Sequence, residues 1–120
     1  MDSYAKGQRG EKLAVDFLQG LGYTIEVCNF QIRGGEIDII AMDQNILVFV
    51  EVKWRAQGRL ADGLESVGKA KAKRLFLAAE RYLVRRGWMG ECRFDVIAIS
   101  GMNPPDILHI QQAFDASFFS

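Results

Sequence analysis

Residues 36–53 read EIDIIAMDQNILVFVEVK, two apolar runs separated by the polar triplet Asp43-Gln44-Asn45. Glu36–Met42 and Ile46–Lys53 are rich in β-formers, and a short polar link between two such runs predicts a β-hairpin. Apart from their charged ends both strands are apolar on both faces, so they belong at the centre of a sheet covered on each side.

Around this hairpin the remaining elements fall into place. Leu13, Ala14, Phe17, Leu18 and Leu21 recur at helical spacing, which predicts a first helix over 10–21 with Gly22 as its stop. Tyr23–Phe30 alternates as a strand and breaks at Gly34-Gly35. Residues 54–65 are polar, contain Gly58 and Gly63, and read as a loop. Residues 66–86 hold good helix formers, with an apolar stripe of Leu75, Ala78, Ala79, Tyr82 and Leu83 and a C-terminal Gly87. Phe94–Ile99 is a further strand, and Ile107–Ile110 a last one after Pro104-Pro105. The order is α-β-β-β-α-β-β. A hairpin strand, a long helix and then another strand require a crossover, expected to be right-handed, with the Phe94 strand parallel to a hairpin strand. The fold class is α/β, a mixed sheet with a helix on each face.

With 120 residues, 49% hydrophobic and 25% charged, the chain is expected to be a single domain, 1–120, with a core that needs no disulfide. Cys28 and Cys92 stand far apart without neighbouring His or Cys, so they are read as small buried hydrophobes in a reducing compartment. The N-terminus lacks a signal-peptide pattern, and no apolar run reaches the ~18 residues of a membrane span. A cytoplasmic protein with no membrane partner is expected. Net charge is zero, yet it is unevenly spread. Residues 1–52 carry four basic and eight acidic side chains, 53–86 ten and three, and 87–120 one and four. The basic middle segment is where a nucleic acid would bind.

If the hairpin turns about Gln44-Asn45, Asp38 falls opposite Glu51 and Glu36 opposite Lys53, and four charges share one sheet face. Opposed carboxylates repel and are partly desolvated at a covered sheet end, so positive charge must sit between them. Lys53 supplies some. A hard divalent cation held by Asp38, Glu51 and the main-chain carbonyl of Val52 supplies more. Such a group suits phosphodiester hydrolysis, in which the metal polarises the phosphoryl oxygen and acidifies a water while Lys53 counters developing charge. Asp38, Glu51 and Lys53 are therefore the candidate catalytic residues.

Asp38 followed by Glu51-Val52-Lys53 on the second hairpin strand resembles the D…(D/E)-x-K signature of restriction-endonuclease-like nucleases. Glu11 sits where archaeal Holliday junction resolvases carry an acidic residue on their first helix. More closely, Gly10-Glu11, Gly35-Glu36-Ile37-Asp38, Phe49-Val50-Glu51-Val52-Lys53, Arg55, Val67…Lys71 and Arg93-Phe94-Asp95 resemble the YraN family of small bacterial proteins over nearly the whole chain. The resemblance implies a restriction-endonuclease-like fold, Mg²⁺ or Mn²⁺ as cofactor, Glu11 as a further metal ligand, and branched or duplex DNA as substrate class. Fold likeness alone does not establish activity, so a non-catalytic nucleic-acid-binding or adaptor module is the alternative.

Blander readings accompany each residue. The carboxylates and Lys53 could form ion pairs closing a sheet end, and Glu11 could be a first-turn acid favoured by the helix dipole. Lys69, Lys71 and Lys73 suit phosphate contact, but a basic helix also needs a solvated face. Arg55 is a candidate for phosphate contact and Trp54 for base stacking, or Trp54 packs the core. His109, between Leu108 and Ile110, reads as structural, and Asp95 either neighbours the site or forms a salt bridge. A small domain covers little of a duplex, so a symmetric homodimer is one arrangement that fits a nuclease.

Overall fold

In a computed structural model the described residues are 3–55, 68–101 and 103–113. The hairpin stands as its sequence predicts. Strands β2 (Gly35–Asp43) and β3 (Ile46–Arg55) are antiparallel, with Asp43 paired to Ile46 and the register running back to Ile39 opposite Val50. Those pairs turn about Gln44-Asn45, and Gln44 takes the positive φ of 55° that so short a turn needs. β1 (Thr24–Ile32) lies antiparallel on the outer side of β2. β4 (Glu91–Ser100) runs parallel to β3, and β5 (Asp106–Ile110) antiparallel to β4. The sheet order β1-β2-β3-β4-β5 leaves the hairpin inside.

Helix α1 (Ser3–Gly20) covers one face and α2 (Lys69–Arg86) the other. Under α1, Ala14 and Leu18 pack on Ile39, Ala41, Val48, Val50, Ile97 and Ile99. Under α2, Ala72, Leu75, Ala78 and Ala79 meet Ile37, Ile40, Leu47, Phe49 and Val96. Phe49 and Phe94 stack at 5.4 Å and Phe76 on Phe94 at 5.6 Å, so aromatic area fills what the alanines of α2 leave. Gly87 ends α2 in the left-handed region at φ 70°, with its N–H on Leu83 and Val84 carbonyls, as a glycine after a last periodic residue should.

Several sequence expectations shift. α1 begins at Ser3 rather than Gly10, because the added turns are polar and apolar periodicity cannot report them. Trp54 and Arg55 belong to β3, not to a loop; the rest of that expected loop, with Gly58 and Gly63, lies outside the described residues. Cys28 and Cys92 are exposed rather than buried. Cys28 sits on the edge strand and Cys92 near the start of β4, positions that the two core clusters do not reach. Among the described residues, no helix is long and apolar enough to cross a membrane.

Candidate active site

The two hairpin strands part company where the charges are. One residue beyond the Ile39–Val50 pair, Asp38 turns its carboxylate into the gap, and Oδ2 accepts the Val52 backbone N–H at 2.8 Å. A side chain thus replaces a ladder carbonyl. On the other side of Asp38 the strand changes face: Ile37 packs under α2 whereas Ile39, two residues on, packs under α1. Regular alternation would send both the same way. The partner strand explains the reversal. Cys28 pairs with Ile39 and Phe30 with Ile37, so Asn29 lies opposite Asp38, and Asn29 has φ 56°. A left-handed residue inside a strand rotates the pleat locally, and Asn tolerates it better than most.

Glu51 projects to the α2 side and is 2% exposed. Its Oε1 meets Lys71 Nζ at 2.8 Å and Lys53 Nζ at 3.5 Å. The expectation of one shared face therefore holds for Glu51 and Lys53, while Asp38 joins them from the plane of the sheet and hydrogen-bonds Glu51. Glu36 lines the same cavity as Glu51, Lys71 and Arg74 rather than pairing with Lys53.

The electrostatics follow from burial. The Asp38 carboxyl is pushed up to about 7, first by burial and then by the Glu51 charge, against the lowering effect of the Val52 N–H. Burial and the neighbouring Lys71 hold the Lys53 ammonium below its ordinary value. Burial would lower Lys71 too, but its hydrogen bonds to Glu51 and Lys53 and the Glu51 charge keep it above. Two lysines match two carboxyls in number but contact Glu51, so burial and the Glu51 charge still raise the Asp38 carboxyl.

α2 reaches this end of the sheet because Gly35 lets it. A Cβ on Gly35 would stand 2.3 Å from the Arg74 carbonyl oxygen and 3.2 Å from the Ala78 nitrogen, distances only a glycine allows. That seat delivers Lys71 to Glu51. Lys69, Lys73 and Arg74 remain exposed on the same end of the helix, whereas Arg86 is tied to Glu26 and lies over Trp88.

Other candidates stand apart. Glu11 grips the Asn29 amide, Nδ2 lying 3.0 and 2.8 Å from its two oxygens, in a shallow hollow between α1 and β1. Among the described residues no three carboxylate, His or Cys side chains gather to hold a metal, so Glu11 is not brought together with Asp38 and Glu51. Trp54 is on the α1 side, its indole N–H donating to the Gly101 carbonyl at 3.2 Å and its ring in the core, the packing arrangement. The phosphate contact expected of Arg55 falls on a side chain outside the described residues.

Asp95 also lies under α1, in a separate polar cluster. Arg93 grips it with two bonds, Nε at 2.9 Å and Nη2 at 3.0 Å, and His109 Nε2 lies 2.7 Å from Oδ2. Burial alone would raise this carboxyl, but hydrogen bonds from His109, Arg93 and the Gln112 amide hold it below the usual range. His109 also sits edge-on to Phe17 and Tyr23, the structural role expected of it.

Sequence reasoning missed two contributors, Asn29 and the Glu51 contact of Lys71. Asn at a mid-strand position is a signal for the first. The second has only the pairing of a basic helix start with a glycine-led strand.

Residues 10–99 match the model of the uncharacterised protein family UPF0102, the family of the YraN resemblance. A UPF0102 protein of Nitrosococcus oceani is 41% identical over 112 residues, 91% of this chain and 90% of that one. One of Janthinobacterium is 46% identical over 92 residues, 77% and 75% of the two chains. One of Persephonella marina is 40% identical over 119 residues, covering 98% of this chain and all of that one.

Proposed function

The chain belongs to the UPF0102 family, and we propose that it is a divalent-metal-dependent nuclease that hydrolyses phosphodiester bonds in DNA, branched DNA included, in the cytoplasm. The observation that carries this reading is the Asp38–Glu51 pair, two carboxyls forced together at the parted end of a hairpin with Lys53 and Lys71 against one of them. Burial and the Glu51 charge raise the Asp38 carboxyl to about 7, a cost of bringing the two carboxyls together that a cation held between them would offset.

The donor set fits a hard cation. Two carboxylates with a main-chain carbonyl at Val52 are oxygen ligands of the kind Mg²⁺ or Mn²⁺ uses, with water and phosphate completing the shell. When bound, the ion would supply Lewis acidity, polarising the phosphoryl oxygen and making a nucleophile from water. The protein's own groups do the rest. The Val52 N–H orients Asp38, and burial of Glu51 fixes its carboxylate without water competing. Lys53, 19% exposed at the side chain and beside Glu51, places an ammonium where negative charge grows on the phosphorus-bound oxygens. Water oxygen bonds to phosphorus, one P–O ester bond breaks, and the leaving alkoxide takes up a proton. Lys69, Lys73 and Arg74 offer the flanking phosphates a basic surface. Two copies would place one site on each strand.

The test is cleavage of linear, flapped and four-way-junction DNA in Mg²⁺ or Mn²⁺ by wild type, Asp38→Asn and Lys53→Ala. Each substitution should slow cleavage by roughly 10²-fold or more. Metal binding should fall in Asp38→Asn and persist or tighten in Lys53→Ala. Cleavage surviving both substitutions would belong to a contaminant. If no DNA is cut by any preparation while wild type binds DNA, the non-catalytic binding module replaces the nuclease.

A further inference from the structure

Lys53 belongs to the hairpin signature, yet Lys71 stands closer to Glu51, 2.8 Å against 3.5 Å. Lys71 is also the more open of the two, its side chain 41% exposed against 19%. It borders a cavity of about 280 Å³ lined by Glu36, Glu51, Ala70, Lys71 and Arg74. Arg74, one helical turn on, shares the Lys71 side of α2 and is exposed. A cation in the first turn of a helix opposes the helix dipole, and α2 has no acid there to compensate. Its placement is explained by Glu51, not by the helix.

We propose that Lys71 is a substrate-contacting lysine that exchanges partners: it holds Glu51 in the free protein and moves into the cavity beside Arg74 to bind a substrate phosphate once a divalent ion takes the carboxylate. This rests on the nuclease reading above. Glu51 Oε1 already carries two ammonium groups, Lys71 at 2.8 Å and Lys53 at 3.5 Å, so a divalent ion joining them adds cation–cation repulsion that weakens the more exposed of the two contacts, that of Lys71. Lys71, 41% exposed against 19% for Lys53, is the one free to yield, and its flexible four-carbon stem lets it move. The cavity is the space it already borders, and a phosphate there would meet two cations, Lys71 and Arg74, against the carboxylate of Glu36, that of Glu51 being taken by the ion. Lys53, held lower in the strand and more enclosed, stays with the carboxylates.

Three measurements on the full chain decide it, with Lys71→Met, Lys71→Arg and wild type compared. The first is Mn²⁺ affinity by calorimetry without DNA. The second is the salt dependence of DNA binding in Ca²⁺, and the third is thermal melting to establish that each variant folds. Lys71→Met should bind Mn²⁺ roughly tenfold more tightly, its competitor gone. Its plot of log affinity for DNA against log salt should be shallower by about 0.9, because one fewer phosphate is neutralised. Lys71→Arg should keep the wild-type salt slope. A folded Lys71→Met with wild-type Mn²⁺ affinity, or with the wild-type salt slope, overturns the exchange. Neither readout needs turnover, so failure of the nuclease reading, seen as no cleavage by any variant, stays distinguishable from failure of this one.

Discussion

The molecule buries two carboxylate clusters on opposite faces of one sheet and treats them in opposite ways. Under α1, Asp95 is fully enclosed, yet Arg93, His109 and the Gln112 amide hold its carboxyl below the usual range. Beside α2, Asp38 and Glu51 face each other with lysines on only one of them, and the Asp38 carboxyl rises to about 7. Asp95 lies next to Val50 in the parallel register, one residue before Glu51. Neighbouring positions in the same sheet thus carry one cluster whose carboxyl is held down and one whose carboxyl is pushed up. A depressed carboxyl fits a cluster kept for the fold, and a raised one beside a cavity fits the proposed site.

The largest test of that contrast is to remove one cation from each. Arg93→Met leaves Asp95 buried without its main partner and should cost on the order of 3–5 kcal/mol in urea unfolding. Lys53→Met leaves Lys71 on Glu51 and removes the cost of burying the Lys53 ammonium, so it should destabilise clearly less than Arg93→Met. Equal losses would mean that both clusters are structural and the contrast false.

Gly35→Ala separates the faces by packing instead of charge. Its Cβ would meet the Arg74 carbonyl at 2.3 Å, so α2 must lift, at a cost of about 3 kcal/mol. The amide signals of Lys71 and Glu51 should move, whereas those of Arg93 and His109 under α1 should hold still.

Metal is the next discriminator. Mn²⁺ at a hundred times its Kd should stabilise wild type by about 2.7 kcal/mol, on the order of 10 °C in Tm. Asp38→Asn should lose that rise and His109→Gln should keep it. A rise that survives Asp38→Asn would move the metal site away from the hairpin.

How far all this is legible in the chain depends on range. The hairpin register is local, set by a two-residue turn between apolar runs, and the sequence predicts it residue for residue from Asp43–Ile46 to Ile39–Val50. The pairing of Glu51 with Lys53 follows, being two positions apart on one strand. What escapes is tertiary. The reversal of face at Asp38 depends on a left-handed Asn29 in another strand, and alternation rules assume regular pleating. Lys71 reaches Glu51 only because Gly35 seats α2 closely, a contact between residues far apart in the chain. Arg93 and Asp95 are visibly two apart, but nothing local says that His109 and Tyr23 complete their cluster.

The smallest effect gives the sharpest sign. Asp38 has a folded pKa of about 7 against 3.8 unfolded, so between those values the folded protein holds a proton that the unfolded chain has lost. Unfolding then releases protons, and stability must fall as pH rises through that window. Asp95 is the reverse case, with its folded pKa depressed. Its contribution is present above the ordinary carboxylate range and is lost only as pH falls below it, so between pH 5 and 8 it is flat. In chelator, the stability of Asp38→Asn relative to wild type should therefore increase between pH 5 and pH 8, by on the order of 1–2 kcal/mol. The asparagine oxygen can still accept the Val52 N–H, so the change isolates charge from hydrogen bonding. Lys71, held above the ordinary lysine value by Glu51 and Lys53, stays charged over that range. A relative stability that stays level from pH 5 to pH 8 would mean that the carboxylate pair is already neutralised in the free protein. The site would then resemble the Asp95 cluster, and the contrast between the two faces would be lost.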